Sequence, residues 1–331
     1  MPGSGGRRRI RPRVERRWLR EEHPGGPPVE IPLAEVIGAE GGPTVAIMAG
    51  MHAGEYAGVL AAVQLIRRLA DMPMSGRVLI VPIISIQAFY QRNMQLSPID
   101  QREVHYVWPG DPDASYSAHL VDLLFRTIRV ASAVVDLHGG EFVQELRPYV
   151  AIPWEQDGDL FERALAIGRS FPVPFVDKRP LPDSPLALPR ALYREGIPNV
   201  WTEVGHNGLI GAAEVRIQAE GCLNVVGLLG LIAGRTQPPQ PRLVGPRRWS
   251  VVADRTGLWL PEIRAGDHVR AGQPLGRMVD PFGEVLRTFE APADAIVEYV
   301  CTSPAIDSER RPHGNVWHQH LAQLAEDPRA S

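Results

Sequence analysis

The stretch at residues 45–58 constrains this chain most, because it joins an apolar strand, a turn of small residues and the start of a helix. It reads Val-Ala-Ile-Met-Ala-Gly-Met-His-Ala-Gly-Glu-Tyr-Ala-Gly. The short apolar run before Gly50 is typical of a strand buried on both faces of a parallel sheet. Beyond Gly54, apolar residues recur at helical spacing. We therefore expect His52 and Glu55 on the turn after a strand, at the sheet edge where open α/β folds bind ligands.

His52 and Glu55 offer an imidazole nitrogen and a carboxylate oxygen, two donors that suit Zn²⁺. A catalytic zinc takes three protein ligands and keeps a further position open for water. The pair is weak on its own, because in a chain of this composition chance gives on the order of one His-x-x-Glu match. A third ligand must therefore come from another part of the chain.

Two later stretches supply candidates of the right chemistry at predicted strand ends. The segment 131–140 is apolar up to Asp-Leu-His-Gly-Gly, which places His138 at the end of a strand. The segment 199–205 reads Asn-Val-Trp-Thr-Glu-Val-Gly, which places Glu203 near the end of another. Because carboxyl ends of parallel strands meet at one sheet edge, these side chains and the His-x-x-Glu pair predict a common site.

At these residues the sequence resembles the succinylglutamate desuccinylase/aspartoacylase family, which has the zinc carboxypeptidase fold. The resemblance extends over roughly residues 30–310 and rests on motifs that occur in the family's order. They are His-Ala-Gly-Glu at 52–55, Val-Pro-Ile-Ile-Ser-Ile-Gln-Ala-Phe-Tyr-Gln-Arg at 81–92, Val-Trp-Pro-Gly-Asp at 107–111, Asp-Leu-His-Gly-Gly at 136–140 and Thr-Glu-Val-Gly at 202–205. The resemblance implies that His52, Glu55 and His138 bind one Zn²⁺ per chain and that Glu203 is the general base.

The resemblance also shows where this chain departs from the family. Many members carry an Asn-Arg pair that holds a substrate carboxylate, whereas His105 and Tyr106 stand at the matching positions here. A planar fork that binds carboxylates through two hydrogen bonds is thus replaced by an imidazole and a phenol. We expect His105 and Tyr106 to contact an unusual amine portion of the substrate. Arg92 is retained and is our candidate for a cationic donor to the oxyanion of the reaction.

Asp136 is a candidate supporting residue. It precedes His138 by two positions on a strand, so both side chains point to the same side. Asp136 is therefore placed to accept a hydrogen bond from the imidazole nitrogen that does not bind the metal. The alternative, that Asp136 only caps the neighbouring turn, stays open.

The pattern of elements predicts an α/β fold with a mostly parallel or mixed sheet flanked by helices, followed by a small all-β domain. Strands alternate with helices of ten or more residues through residues 29–237, which we assign to the hydrolase domain. Four prolines between residues 238 and 246 mark a boundary. Short apolar segments between Gly and Pro turns then predict a β barrel or sandwich over 247–312, similar to the lipoyl-like domain of the family.

The two ends of the chain are predicted to lie outside these domains. Residues 1–22 carry eight arginines against three glutamates, and we interpret 1–28 as a disordered Arg-rich tail that binds no nucleic acid. Residues 313–331 are interpreted as a polar tail. No apolar run is long enough for a membrane span or a secretory signal, so a cytoplasmic location without membrane association is expected. The sequence leaves open whether the protein forms a homo-oligomer.

These features together predict a zinc-dependent deacylase that removes an acyl group from an N-acyl amino acid or a related small amide. A zinc carboxypeptidase is the alternative within enzymes, and the missing Asn-Arg pair counts against it. A ligand-binding protein on the same fold is the non-enzymatic alternative. Retention of Glu203 beside three metal ligands counts against that reading.

Overall fold

The structure is a computed structural model that describes residues 9–93, 95–234, 238–309 and 319–327. Its first part is built on a nine-stranded sheet. The strands of this part are β1 Arg13–Glu21, β2 Val29–Ile37, β3 Ala39–Ala49, β4 Ser75–Val81, β5 Ala133–His138, β6 Gln144–Leu146, β7 Tyr149–Trp154, β8 Phe175–Pro180, β9 Asn199–Glu203 and β10 Arg242–Val244, of which only β6 lies outside the sheet. Their order in the sheet is β1-β2-β4-β3-β5-β9-β7-β8-β10.

The centre of this sheet is parallel and its periphery is partly antiparallel. Strand β3 runs parallel to both β4 and β5, and β5 runs parallel to β9. Strands β1 and β2, and strands β7 and β9, pair in antiparallel fashion. The predicted mixed α/β sheet is therefore confirmed, and the carboxyl ends of β3, β5 and β9 lie side by side.

Helices cover both faces of the sheet. They are α1 Tyr56–Ala70, α2 Ile86–Gln91, α3 Tyr116–Ile128, α4 Asp159–Gly168, α5 Leu188–Arg194 and α6 Ala212–Leu228. Alternate residues of β3 enter different cores: Val45 and Ile47 pack with α1, α4 and α6, whereas Ala46 and Met48 pack with α3 and α5. This two-sided burial explains why β3 is apolar at consecutive positions.

The second part of the chain forms two antiparallel sheets around a separate core, as predicted for an all-β domain. The strands are β11 Arg248–Val252, β12 Gly257–Pro261, β13 His268–Val269, β14 Pro274–Val279, β15 Val285–Glu290, β16 Ala295–Cys301, β17 Ala305–Ile306 and β18 His320–Glu326. The sheets have the orders β11-β18-β16-β13, with β6 added beside β16, and β15-β14-β12-β17. Trp259, Leu275 and Val297 lie in the shared core.

The predicted disordered tail over residues 1–28 is wrong for residues 13–21. These residues form β1, which pairs residue for residue with β2, from Arg13 opposite Ile37 to Glu21 opposite Val29. At least one of its arginines is paired: Arg17 forms an ion pair with the buried Glu35 at 2.8 Å. Residues 1–8 lie outside the described part of the chain.

The interpretation of residues 313–331 as a polar tail is also wrong where the structure describes them as a strand. Strand β18 lies between β11 and β16, and its Leu321 and Leu324 are fully buried. Strand β18 buries Leu321, Ala322, Leu324 and Ala325, and it completes a sheet whose other strands are β11, β13 and β16 of the all-β part and β6 of the first part. Among the described residues, no helix is both long and apolar enough to cross a membrane.

Candidate metal centre and active-site cavity

The turn between β3 and α1 presents the first two predicted ligands. Gly50 adopts a left-handed conformation, with φ of 66°, directly after β3 ends. Such a conformation is accessible to glycine at little cost, and it turns the chain sharply away from the sheet. Glu55 is the residue before α1, and its side chain makes no capping hydrogen bond to the helix. The carboxylate is therefore available to face His52.

The end of strand β5 presents the third predicted ligand beside the first two. Its neighbours in the sheet are β3 and β9, with Met48 opposite Asp136 and His138 opposite Glu203. Because β5 runs in the same direction as both neighbours, His138 ends its strand at the edge where the His52 turn begins. The strand order thus converts three separated sequence motifs into one cluster.

The three predicted ligands converge on the carboxylate of Glu55. Its Oε1 lies 2.8 Å from Nδ1 of His52, and its Oε2 lies 2.9 Å from Nδ1 of His138. One ligand atom from each of the three residues lies within 4.8 Å of the others. Two imidazole nitrogens and one carboxylate oxygen in this arrangement match the three-ligand set of a catalytic zinc, so the residues present fit that metal.

The charges of this cluster depend strongly on one another. Burial opposes ionisation of Glu55, but the charges and hydrogen bonds of His138 and His52 outweigh burial and lower the pKa of Glu55 to about 2. Burial likewise opposes protonation of His138, but Asp136 and Glu55 raise its pKa well above its usual range. In the metal-free protein, protons on the imidazoles thus compensate the buried carboxylates. A cation bound between them would take over that role.

A second layer of carboxylates lies behind the two histidines. Oδ2 of Asp136 is 2.9 Å from Nε2 of His138, on the far side of the ring from Glu55. This position agrees with the expectation for Asp136, whose role in orienting the ring is a proposal. Oε1 of Glu103 lies 3.7 Å from Nε2 of His52, a similar placement at a longer distance. Glu103 was not identified from the sequence, since its loop has no periodicity that would fix its direction.

Glu203 lies at the end of β9 beside this cluster and lines the same cavity. Burial raises the pKa of Glu203 to about 8, although the positive charges of His138 and Arg179 act in the opposite direction. A carboxylate with a raised pKa can both accept and return a proton near neutral pH. This is the property that a general base in hydrolysis requires.

The cavity has a volume of about 270 Å³ and is bounded by both parts of the chain. The first part contributes the metal cluster, Glu203 and Arg179, and the second part contributes Glu298, Tyr299 and Gln323. A wall from the all-β part therefore closes the site on one side.

The other three predicted site residues do not all lie at the cavity. His105 and Tyr106 line the cavity, whereas Arg92 is exposed at the end of α2 and is not among the described lining residues. Burial, together with the charges of His52 and His138, lowers the pKa of His105 to about 3, so its imidazole is neutral at pH 7.

Among the described residues that line the cavity, Arg179 is the one arginine. It was not identified from the sequence, because its stretch, Phe-Val-Asp-Lys-Arg-Pro at 175–180, matches no motif. One signal was available: Arg179 is a charged residue near the end of a short strand, directly before a proline.

Comparison with known proteins matches this chain to one family. The profile of the succinylglutamate desuccinylase/aspartoacylase catalytic domain matches residues 41–229. An N-alpha-acetyl-L-2,4-diaminobutyric acid deacetylase from Halomonas elongata is 30% identical over 257 residues, which cover 76% of this chain and 75% of that protein.

Solved structures share the whole fold. A succinylglutamate desuccinylase/aspartoacylase from Rhodobacter sphaeroides has a TM-score of 0.82 and 26% identity, covering 99% of this chain and 98% of that one. The product-bound ectoine utilization protein EutE (DoeB) from Ruegeria pomeroyi has a TM-score of 0.84 and 24% identity, covering 95% of each chain. The latter likeness concerns the fold alone. By the profile and the relative of known activity, this chain belongs to the succinylglutamate desuccinylase/aspartoacylase family, whose named members remove acyl groups.

Proposed function

We propose that this protein is a zinc-dependent deacylase that hydrolyses the amide bond of a small N-acyl amino acid. One observation carries the proposal: the His52–Glu55–His138 cluster and Glu203 face a single cavity. A metal site with two histidines and a glutamate, beside a carboxylate of raised pKa, suits metal-assisted hydrolysis. Retention of all four residues favours catalysis over a binding role.

The metal would be held by Nδ1 of His52, Nδ1 of His138 and the carboxylate of Glu55. Zinc bound by these groups supplies a Lewis acid and lowers the pKa of water towards about 7. Asp136 keeps a proton on Nε2 of His138, which leaves the lone pair of Nδ1 available and fixes the ring. The protein's contribution here is the orientation of its donors.

Glu203 would move the proton of the reaction. Its carboxylate accepts a proton from the attacking water and returns it to the nitrogen of the leaving amine. Arg92 has no place in this scheme, because it is exposed outside the cavity lining. His105, which is neutral, and Tyr106 at the cavity wall are proposed to contact the substrate.

The cavity supports a small substrate over a peptide. At about 270 Å³ it lies just below the usual range for small-molecule sites. The wall formed by Glu298, Tyr299 and Gln323 limits the direction in which a longer chain could extend. The similarity to an N-alpha-acetyl-L-2,4-diaminobutyric acid deacetylase supports acetyl as the acyl group and a diamino acid as the leaving amine.

A substrate panel tests this proposal. The zinc-loaded protein is assayed for release of acetate or succinate from Nα-acetyl-L-2,4-diaminobutyrate, from N-acetyl and N-succinyl derivatives of other amino acids, and from short peptides. We expect acetate release from an N-acetyl amino acid that stops on chelation and returns when zinc is added. Cleavage of the peptides alone would favour a carboxypeptidase. Zinc binding without hydrolysis of any panel member would contradict the proposal.

A further inference from the structure

A buried group of ion pairs joins the two parts of the chain behind the cavity. Its members, the Arg179 cluster, are Arg147, Asp177, Arg179, Arg248 and Glu298. Arg147 and Arg248 lie 2.6 Å and 2.7 Å from Oδ2 of Asp177. Arg248 also lies 2.7 Å from Oε2 of Glu298, and Arg179 forms an ion pair with Oε1 of Glu298. Strands β11 and β16 of the all-β part thereby meet strand β8 of the sheet.

The charges of this cluster do not balance. Three guanidinium groups face two carboxylates, and among the described residues no third carboxylate forms an ion pair with them. The side chains of Asp177 and Glu298 are 0% and 1% exposed, so solvent screens the excess charge poorly. The charge of Arg179 also acts on the carboxyl group of Glu203, but among the described ion pairs Glu203 is not a partner of the cluster. An anion bound next to Arg179 would give the excess buried charge a direct partner.

Arg179 is the cluster's guanidinium that lines the cavity. Its Nη2 donates to the hydroxyl of Tyr149 at 2.6 Å and to Glu298. Its Nε is buried and has no hydrogen-bond partner among the described residues, and 15% of the side chain as a whole is exposed. The Tyr149 backbone pairs with Glu203 between β7 and β9. Arg179 therefore offers unused donors close to the proposed general base.

We propose that Arg179, positioned by Glu298 and Tyr149, binds the carboxylate of the amino acid that leaves in the reaction. This inference rests on the proposed deacylase function and names the group that selects its substrate. The arginine is held on one side by two partners, so little side-chain entropy remains to be lost when a substrate binds. A guanidinium suits this role because it binds carboxylates through directed, charge-assisted hydrogen bonds.

This assignment differs from stabilisation of the oxyanion, which a cavity arginine could also perform. An oxyanion donor acts in the transition state, so its loss lowers kcat for every substrate. A carboxylate anchor acts on bound substrate and transition state alike, so its loss raises KM for acids only. Replacing the carboxylate of the substrate by a carboxamide distinguishes the two roles.

The test compares the panel substrate of highest kcat/KM with the same molecule carrying a primary carboxamide. We expect the wild-type protein to prefer the acid. Arg179→Gln should raise KM for the acid about 10- to 100-fold and leave the kinetics of the carboxamide nearly unchanged. Glu298→Gln should raise KM for the acid less, with kcat retained, as expected for a positioning residue.

Arg248→Gln is the matched control. It removes a guanidinium from the same cluster and from the same two carboxylates, but Arg248 is not among the described residues that line the cavity. In this variant, the kcat/KM for the acid divided by the kcat/KM for the carboxamide should equal the wild-type value. A similar loss of selectivity in Arg248→Gln would show that the cluster acts only by holding the fold, and would overturn the assignment.

Product inhibition is a second measurement, and it uses the wild-type protein alone, so it does not depend on whether a variant folds. The free amino acid released by the enzyme should inhibit at a concentration about tenfold or more below its amide. Equal inhibition by the two, equal cleavage of acid and carboxamide, or an equal fall of kcat for both in Arg179→Gln would overturn the inference. Hydrolysis of no panel member would instead contradict the deacylase function itself.

Discussion

Replacement of Asp136 tests how the carboxylates behind the histidines support metal binding. Its Oδ2 contacts Nε2 of His138 at 2.9 Å, and both side chains are about 95% buried. Asp136→Asn keeps the size and an acceptor oxygen but removes the negative charge. Asp136→Leu removes the acceptor as well. The two variants therefore separate the charge of Asp136 from its hydrogen bond.

The expected magnitudes follow from this single contact. Loss of a carboxylate behind a metal-binding histidine typically lowers metal affinity about 10- to 100-fold, or about 1.4 to 2.7 kcal/mol. Asp136→Asn retains a neutral hydrogen bond, so we expect zinc affinity to fall about tenfold. Asp136→Leu leaves the tautomer and orientation of His138 unfixed, so we expect a fall of about 100-fold.

Competition with a chromophoric chelator measures the zinc Kd of each variant, and circular dichroism checks that each variant is folded. The matched control is Asp122→Asn, which alters a carboxylate on α3 that pairs with Arg126 at 2.9 Å. The control should bind zinc as the wild-type protein does. Unchanged zinc affinity in both Asp136 variants would refute the reasoning that Asp136 orients His138 for the metal.

Three further predictions concern packing, pH and metal. Gly58→Ala would place a Cβ 2.7 Å from the carbonyl oxygen of Leu137, so α1 must move. Chemical denaturation should show that the free energy of unfolding falls by about 1–3 kcal/mol. Gly158→Ala is the control, because its Cβ would have no atom within 4 Å, and it should be nearly neutral. Because the pKa of Glu203 rises from 4.5 to about 8 on folding, the folded metal-free protein binds the proton more tightly, and its free energy of unfolding should fall as pH rises through this window. Glu203→Gln should flatten that fall, and identical pH profiles would contradict it. Zinc at 100 times its Kd should raise the free energy of unfolding by about 2.7 kcal/mol, an increase that His138→Ala should lack.

The sequence predicted those parts of the site that depend on strands with strong apolar patterns. His52, Glu55, His138 and Glu203 each follow or end such a strand, and parallel strands bring their ends to one edge. Arg92 is not among the described residues that line the cavity, because a motif gives a residue's position in the chain but not the direction of its side chain. It lies at the end of the short helix α2, where it is exposed.

The features that could not be predicted from the sequence depend on contacts between residues in different strands. Arg179 is held by Glu298, which lies 119 positions away in a different sheet. Strand β1 was taken for a disordered tail because its many arginines suggest a solvated segment, whereas its ladder with β2 supplies the backbone hydrogen bonds that order it. In both cases the partner strand lies elsewhere in the chain, so the residues around Arg179 and β1 do not specify the pairing.

The most direct test of the central claim compares zinc content and acyl release in the wild-type protein and in Glu203→Gln. The account predicts about one zinc per chain in both proteins, because Glu203 is not one of the three proposed ligands. It predicts that acetate release from the best N-acetyl amino acid falls at least about 10²-fold in the variant, the usual effect of removing a general base. Release at the wild-type rate, or loss of zinc from the variant, would contradict the assignment of Glu203 and with it the proposed mechanism.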